Sequence, residues 1–194
     1  YIFKQKIIDE YKHTYLDYLL NDNKNDIKGL HEFSCASYTH GTIQAFEDFY
    51  SRYSERRLRW IEGDFAYHKI AARSYSFKGK EIESKDDFEI GDSFVISVPF
   101  SASCRVYEDL DGFLKICDEK SIPVLIDFAY LPISRGIEVD VSHKSIDTLC
   151  FSLSKCYFGI ERLRTGLRLK RKFEDDPTDF FNEFSMFNHS GAFV

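Results

Sequence analysis

Proline and glycine are scarce in this chain, 4 and 10 among 194 residues. With 16% aromatic residues beside them, that scarcity excludes a disordered linker or a collagen-like repeat. Positive charge is in deficit as well. The 26 Lys and Arg face 32 Asp and Glu, a formal charge of −6, which argues against a generic nucleic-acid surface and leaves room only for local basic patches. No apolar run approaches the roughly 20 residues that span a bilayer. The five cysteines, Cys35, Cys104, Cys117, Cys150 and Cys156, are odd in number and irregular in spacing, with no CxxC pair. Neither a disulfide framework nor a zinc site is expected; reduced thiols of a cytoplasmic protein are. The six histidines make no HExxH pattern, so no metal is expected. No secretory leader pattern is visible. The chain opens on Tyr1 rather than Met and closes on the apolar Phe193-Val194, so a fragment or a processed chain is expected.

What is present is a regular alternation. Ile7, Ile8, Tyr11, Tyr15, Leu16, Leu19 and Leu20 recur near every 3.6 residues and predict an amphipathic helix over residues 3–20. The polar stretch Asn21 to Asp26 breaks it. Ile43, Phe46, Phe49, Tyr50 and Tyr53 predict a second helix from Thr42 to Tyr53. A short helix is expected over Ala66 to Ser74, and another over Glu108 to Lys120, where Leu110, Phe113, Leu114 and Cys117 share a face. Between them lie short apolar or β-branched runs: Leu58–Ile61, Phe94–Val98, Pro123–Ile126, Ile146–Phe151 and Gly166–Leu169. Strands apolar on both faces belong to parallel sheets covered by helices, so the fold class is α/β with a mostly parallel central sheet. An N-terminal helical segment, 1–30, precedes one large domain, 31–194.

Ligands of open α/β sheets bind beyond the C-terminal ends of the strands. Three sequences stand there. Asp127-Phe128-Ala129-Tyr130 follows the strand ending at Ile126. Ser152-Leu153-Ser154-Lys155 follows the strand ending at Phe151, with Gly159, Arg162, Arg164 and Gly166 after it. Tyr38-Thr39-His40-Gly41-Thr42 opens a helix, whose N-terminal N–H groups and positive dipole end suit a phosphate. Each alone has an ordinary reading: a turn-capping Asp, a solvated loop Lys, a common helix start.

Together, in this order and with 28 residues from Asp127 to Lys155, they resemble the fold-type I pyridoxal phosphate enzymes, most of all the class I/II aminotransferases. The resemblance runs from about Ser34 to Asn188 and rests on Asp127-x-Ala129-Tyr130 and on Ser152-x-Ser154-Lys155 followed by Arg164-x-Gly166. It implies that Lys155 forms a Schiff base with pyridoxal 5'-phosphate and later shuttles a proton. A Schiff base needs an amine that is partly deprotonated, and a desolvated site favours that. It implies that Asp127 pairs with the pyridinium nitrogen, so that the ring accepts carbanion electrons, and that Tyr130 bonds the ring O3′. The phosphate would be held near Gly41 and Thr42 and by Ser152 and Arg164, with Arg162 as a rival to Arg164. Phe65 is the candidate for the ring over the cofactor, with Tyr67 and His68 as alternatives. Ser101, in Val98-Pro99-Phe100-Ser101, takes the place of the family's Asn; its single short donor makes a weaker contact.

The resemblance implies an aminotransferase acting on an amino acid and a keto acid, as a homodimer. Other fold-type I enzymes (a decarboxylase, lyase or acyltransferase) and a non-catalytic derivative are the alternatives. The segment Phe187-Asn188-His189-Ser190 resembles the passage into the family's C-terminal domain, so the chain is expected to be a cofactor domain cut before that partner, without the Arg for the substrate carboxylate. Two basic clusters remain. Arg52, Arg56, Arg57 and Arg59 read as a solvated helix end or a subunit interface. Arg168, Lys170, Arg171 and Lys172 read as a solvated run alternating outward from a strand.

Overall fold

The computed structural model describes residues 2–74, 78–155, 164–174 and 176–183. Cys156, Gly159, Arg162 and the segment 187–190 lie outside the described residues.

The five apolar runs and two further segments form a seven-stranded sheet among the described residues. Its strands are β2 (Cys35–Thr39), β3 (Arg57–Ile61), β4 (Gly79–Ile82), β5 (Asp92–Ser97), β6 (Val124–Phe128), β8 (Ile146–Ser152) and β9 (Gly166–Lys170). Their order is β2-β9-β8-β6-β5-β3-β4, and β9 is antiparallel to both β2 and β8. The pairs β3–β4, β3–β5, β5–β6 and β6–β8 are parallel. Two three-residue strands, β1 (Asp26–Lys28) and β7 (Glu138–Asp140), pair separately.

Among the described residues, five α-helices accompany the sheet: α1 (Ile2–Asp17), α2 (Thr42–Arg52), α3 (Tyr67–Ser74), α4 (Leu110–Lys120) and α5 (Pro177–Glu183). α1 continues as a π-helical turn, Tyr18–Asp22. Successive strand residues point to opposite faces, so each strand feeds two cores. Val124, Ile126 and Phe128 of β6 join Phe94, Ile96, Leu149 and Phe151 in a core covered by Tyr11, Tyr15 and Leu19 on one side of the chain and by Phe113, Leu114 and Cys117 of α4. Leu125, Val95 and Cys150 face the other way, against Ala45, Phe46, Phe49 and Tyr50 of α2 and Ala71 and Ala72 of α3. Asp127 has the parity of Leu125, and so it emerges on the α2 face.

Asp127 closes β6 from within the strand rather than following it, pairing with Ser97 on one side and Cys150 on the other. The basic run on β9 is not solvated. Arg168 is 1% exposed and Lys170 is buried. Leu167 and Leu169 enter the first core, which turns Arg168 and Lys170 toward α2 and α5. There Arg168 pairs with Asp48 at 2.9 Å, Asp176 at 2.6 Å and Asp179 at 2.6 Å. The first cluster is likewise turned inward in part. Arg52 bonds Asp147, Glu174 and Asp176, Arg59 is buried beside Asp92, and Arg57 bonds Asp92 and Glu89. Buried cations are tolerable only when paired in this way.

Candidate active site

The topology gathers one edge of the sheet into a site. Parallel strands β6 and β8 end together. Because β9 is antiparallel to both β8 and β2, its first residue, Gly166, stands opposite Ser152 and opposite Thr39. The start of α2, the end of β8 and the entry to β9 therefore meet. The approach is tight: a β-carbon on Gly166 would lie 2.5 Å from Thr39 Oγ1 and 2.8 Å from Gly41 Cα. Gly41 has φ 76° and ψ −175°, a left-handed conformation open mainly to glycine, and it precedes the first turn of α2. A β-carbon there would sit 3.0 Å from Arg164 Nη2. Arg164 itself has φ 51°. The guanidinium thus lies beside the N-terminus of a helix, whose first N–H groups have no intrahelical partner and whose dipole end is positive.

A cleft opens at this edge. Its walls are Thr42, Ile43, Ser152 and Arg164 on one side, Asp127, Ala129 and Tyr130 on another, and Ser154, Lys155 and Phe65. Asp127 is 4% exposed; its Oδ1 accepts the Ala129 N–H at 3.0 Å and the Cys150 thiol at 3.7 Å. Burial pushes this carboxyl up to about 7; the Ala129 and Cys150 bonds pull the other way, and the nearby Asp64 charge adds to the rise. The Lys155 ammonium stands 4.3 Å from the centre of the Tyr130 ring, a cation–π contact. Ser152 Oγ accepts the Ser154 N–H at 3.2 Å, and the Ser152 carbonyl accepts the buried Tyr15 hydroxyl at 3.1 Å, which anchors the loop to the core. Ser154 Oγ is buried without a hydrogen-bond partner among the described residues, a polar atom held ready at the cleft wall.

Seven of the nine residues expected from sequence line this one cleft, and Gly41 touches it through Arg164. Ser101 does not line it: its hydroxyl donates to Asp64 Oδ1 at 2.8 Å. Phe65 projects into the cleft, whereas its alternatives are engaged elsewhere. Tyr67 donates to Glu47. His68 is fully buried, with Nδ1 2.7 Å from the Tyr50 hydroxyl, and burial lowers its pKa to about 4, which keeps the ring neutral. Sequence reasoning passed over Asp64, Cys150 and Ile43. Only Cys150 carried a signal, since strand parity places it beside Asp127 once the β6–β8 register is known.

No protein-family model matches the chain, and neither does any curated protein sequence. Solved structures do match in fold. Alanine aminotransferase from Pyrococcus furiosus superposes with a TM-score of 0.63 at 16% identity, over 94% of this chain and 52% of that one. A PLP-bound C-S lyase from Staphylococcus hominis gives 0.60 at 13% identity, over 90% and 48%. The L-threonine-O-3-phosphate decarboxylase from Porphyromonas gingivalis gives 0.56 at 16%, over 88% and 51%. The chain spans about half the length of these structures, and it has the large-domain fold of fold-type I pyridoxal phosphate enzymes.

Proposed function

We propose that the chain is the cofactor-binding domain of a pyridoxal phosphate enzyme, and that the whole protein is an aminotransferase exchanging an amino group between an amino acid and a keto acid. The observation that carries this reading is the convergence of Lys155, Asp127, Tyr130 and Arg164 with the N-terminus of α2 on one cleft. A phosphate fits where Gly41, Thr42, Ser152 and Arg164 meet, because the close approach at Gly41 and Gly166 leaves the helix N–H groups free to reach it. The unpartnered Ser154 hydroxyl is a further donor for that group.

When bound, the cofactor supplies an electron sink for a carbanion formed on the amino acid. The chain supplies the rest. Asp127 holds its proton to about pH 7 in the protein alone. It can therefore give that proton to a basic ring nitrogen set against it and keep the pairing negative charge. Lys155 brings an amine to the cleft and, once free, can carry a proton at Nζ. The Tyr130 ring holds that amine in place, and its hydroxyl can donate to a ring oxygen. Phe65 covers the cleft with an apolar face that excludes water.

A homodimer of the full protein and a cytoplasmic site belong to the same proposal. Both rest on the resemblance and on the thiols at Cys35, Cys104, Cys117 and Cys150, which are free; no helix among the described residues is long and apolar enough to cross a membrane. A lyase or decarboxylase reaction is the second reading, since the structural neighbours include both. Incubation of the whole protein with single amino acids separates them. Pyridoxamine phosphate accumulates in an aminotransferase; turnover of the amino acid without it identifies the other reactions and overturns the transaminase reading.

A further inference from the structure

Asp64 is the polar residue of this region that the roles above leave unused. It follows Gly63, whose φ of 84° turns the chain sharply after β3. Its carboxylate gathers three donors. Oδ1 accepts the Phe65 N–H at 2.7 Å and the Ser101 hydroxyl at 2.8 Å, and Oδ2 accepts the Ser97 N–H at 2.9 Å. Three chain segments are tied by one side chain: the turn before α3, the last residue of β5, and the loop after it. Hydrogen bonds to a charged acceptor are about twice as strong as neutral ones, so the clamp is stiff.

What the clamp holds is the Phe65 ring. Its backbone is fixed at Asp64, and its ring rests on Phe46 at 6.3 Å, Tyr67 at 6.1 Å and His68 at 5.9 Å, measured between centroids. The part left uncovered, with Phe65 39% exposed, borders the cleft. Ser101 stands where the family's Asn would be, yet its only proton is given to Asp64. We infer that Asp64 is a positioning residue for the cofactor: it sets the Phe65 ring against the cleft, and Ser101 acts on the site only through it. The inference rests on the pyridoxal phosphate reading above and adds a residue to it. The chemistry explains why this residue is an acid. An Asn carries one acceptor oxygen and two N–H donors, so it cannot accept on both sides at once, and one of the Phe65 and Ser97 amides would face a donor.

The test compares the full chain with Asp64→Asn, Asp64→Ala and Ser101→Ala. Two readouts are independent of turnover. In the cofactor-free protein, the amide proton resonances of Phe65 and Ser97 are followed by NMR. With pyridoxal phosphate added, affinity and the visible circular dichroism of the bound cofactor are measured; the latter reports its orientation. Asp64→Asn is expected to shift at least one of the two amides, to weaken affinity by about tenfold and to reduce the dichroism per bound cofactor. Ser101→Ala leaves two of the three donors in place and is expected to change affinity by less than about threefold. Unchanged affinity and dichroism in Asp64→Asn, with uptake by the wild type, overturn this inference alone. So does a loss in Ser101→Ala as large as that in Asp64→Asn, because Ser101 would then face the cofactor itself. If Asp64→Ala does not fold, the Asn and Ser101 variants still decide. A wild-type chain that takes up no cofactor overturns the proposed function, and this inference with it.

Discussion

Gly41 and Gly166 touch backbone to backbone: a β-carbon on Gly166 would stand 2.8 Å from Gly41 Cα. They lie on either side of the β2–β9 ladder, 125 positions apart in the chain by their numbers, and they set how closely Arg164 meets the first turn of α2. Any side chain at Gly166 must push β9 from β2 or displace Thr39. Gly166→Ala is therefore expected to weaken pyridoxal phosphate binding by at least about tenfold while secondary structure by circular dichroism persists. Wild-type affinity in a folded Ala variant would show that the close approach is irrelevant to the phosphate.

Arg164 is expected to contribute a charge-assisted contact. Arg164→Ala should weaken cofactor affinity by about tenfold to a hundredfold, from a bond to a charged group of roughly 1.5–3 kcal/mol. Inorganic phosphate should protect the wild type against thermal unfolding and protect the variant less. Equal protection of both would remove Arg164 from the phosphate site.

Asp127 makes stability depend on pH in a defined direction. Its pKa rises on folding from the ordinary 3.8 to about 7, so between these values the folded chain holds more protons than the unfolded one. Stability contributed by Asp127 is thus complete below about pH 4 and is lost as pH rises through about 7. In the cofactor-free protein, Asp127→Asn keeps an oxygen for the Ala129 N–H and carries no charge to desolvate. It should be more stable than the wild type at about pH 8 by about 1–3 kcal/mol, and the gain should fade toward about pH 4. The check is urea unfolding at both pH values; a loss of stability in the Asn variant at about pH 8 would contradict the burial argument.

The fold was largely legible from apolar periodicity. α2, α4, β3, β5, β6 and β8 bury their apolar residues and announce them. What escaped lacks that signal. β2 is Cys-Ala-Ser-Tyr-Thr and β4 is Gly-Lys-Glu-Ile, edge strands in which small and polar residues interrupt the apolar run. α5 exposes Phe180 and Phe181 and is held instead by Asn182, whose side-chain amide bonds the Tyr38 backbone N–H at 2.8 Å and the Tyr38 carbonyl at 3.0 Å. Arg168 and Lys170 read as solvent-facing because alternation shows which residues share a face. It does not show that Asp48, Asp176 and Asp179 will cover that face. Likewise the residues that line the cleft came from the motifs that carry the family resemblance, whereas Asp64 and the redirected Ser101 became visible only in three dimensions.

That buried ion cluster supplies a stability test away from the cleft. Removing Arg168 takes the ion pair from Asp48 and leaves Arg52 and Lys170 to pair Asp176, and Lys170 to pair Asp179. Arg168→Met is expected to lose about 3–5 kcal/mol and to raise hydrogen exchange at the Tyr38 amide, which α5 protects. A Met variant as stable as the wild type, with the Tyr38 amide still slow, would place the cluster's energetic weight elsewhere.

Lys155 is proposed as the amine that takes the cofactor. Pyridoxal phosphate is added to the full chain, the mixture is reduced with borohydride, and the proteolytic peptides are weighed by mass spectrometry. The pyridoxyl phosphate mass is expected on the peptide containing Lys155, at one group per chain, and is expected to be absent from Lys155→Ala. A chain labelled instead at other lysines, or labelled equally with and without Lys155, would contradict it.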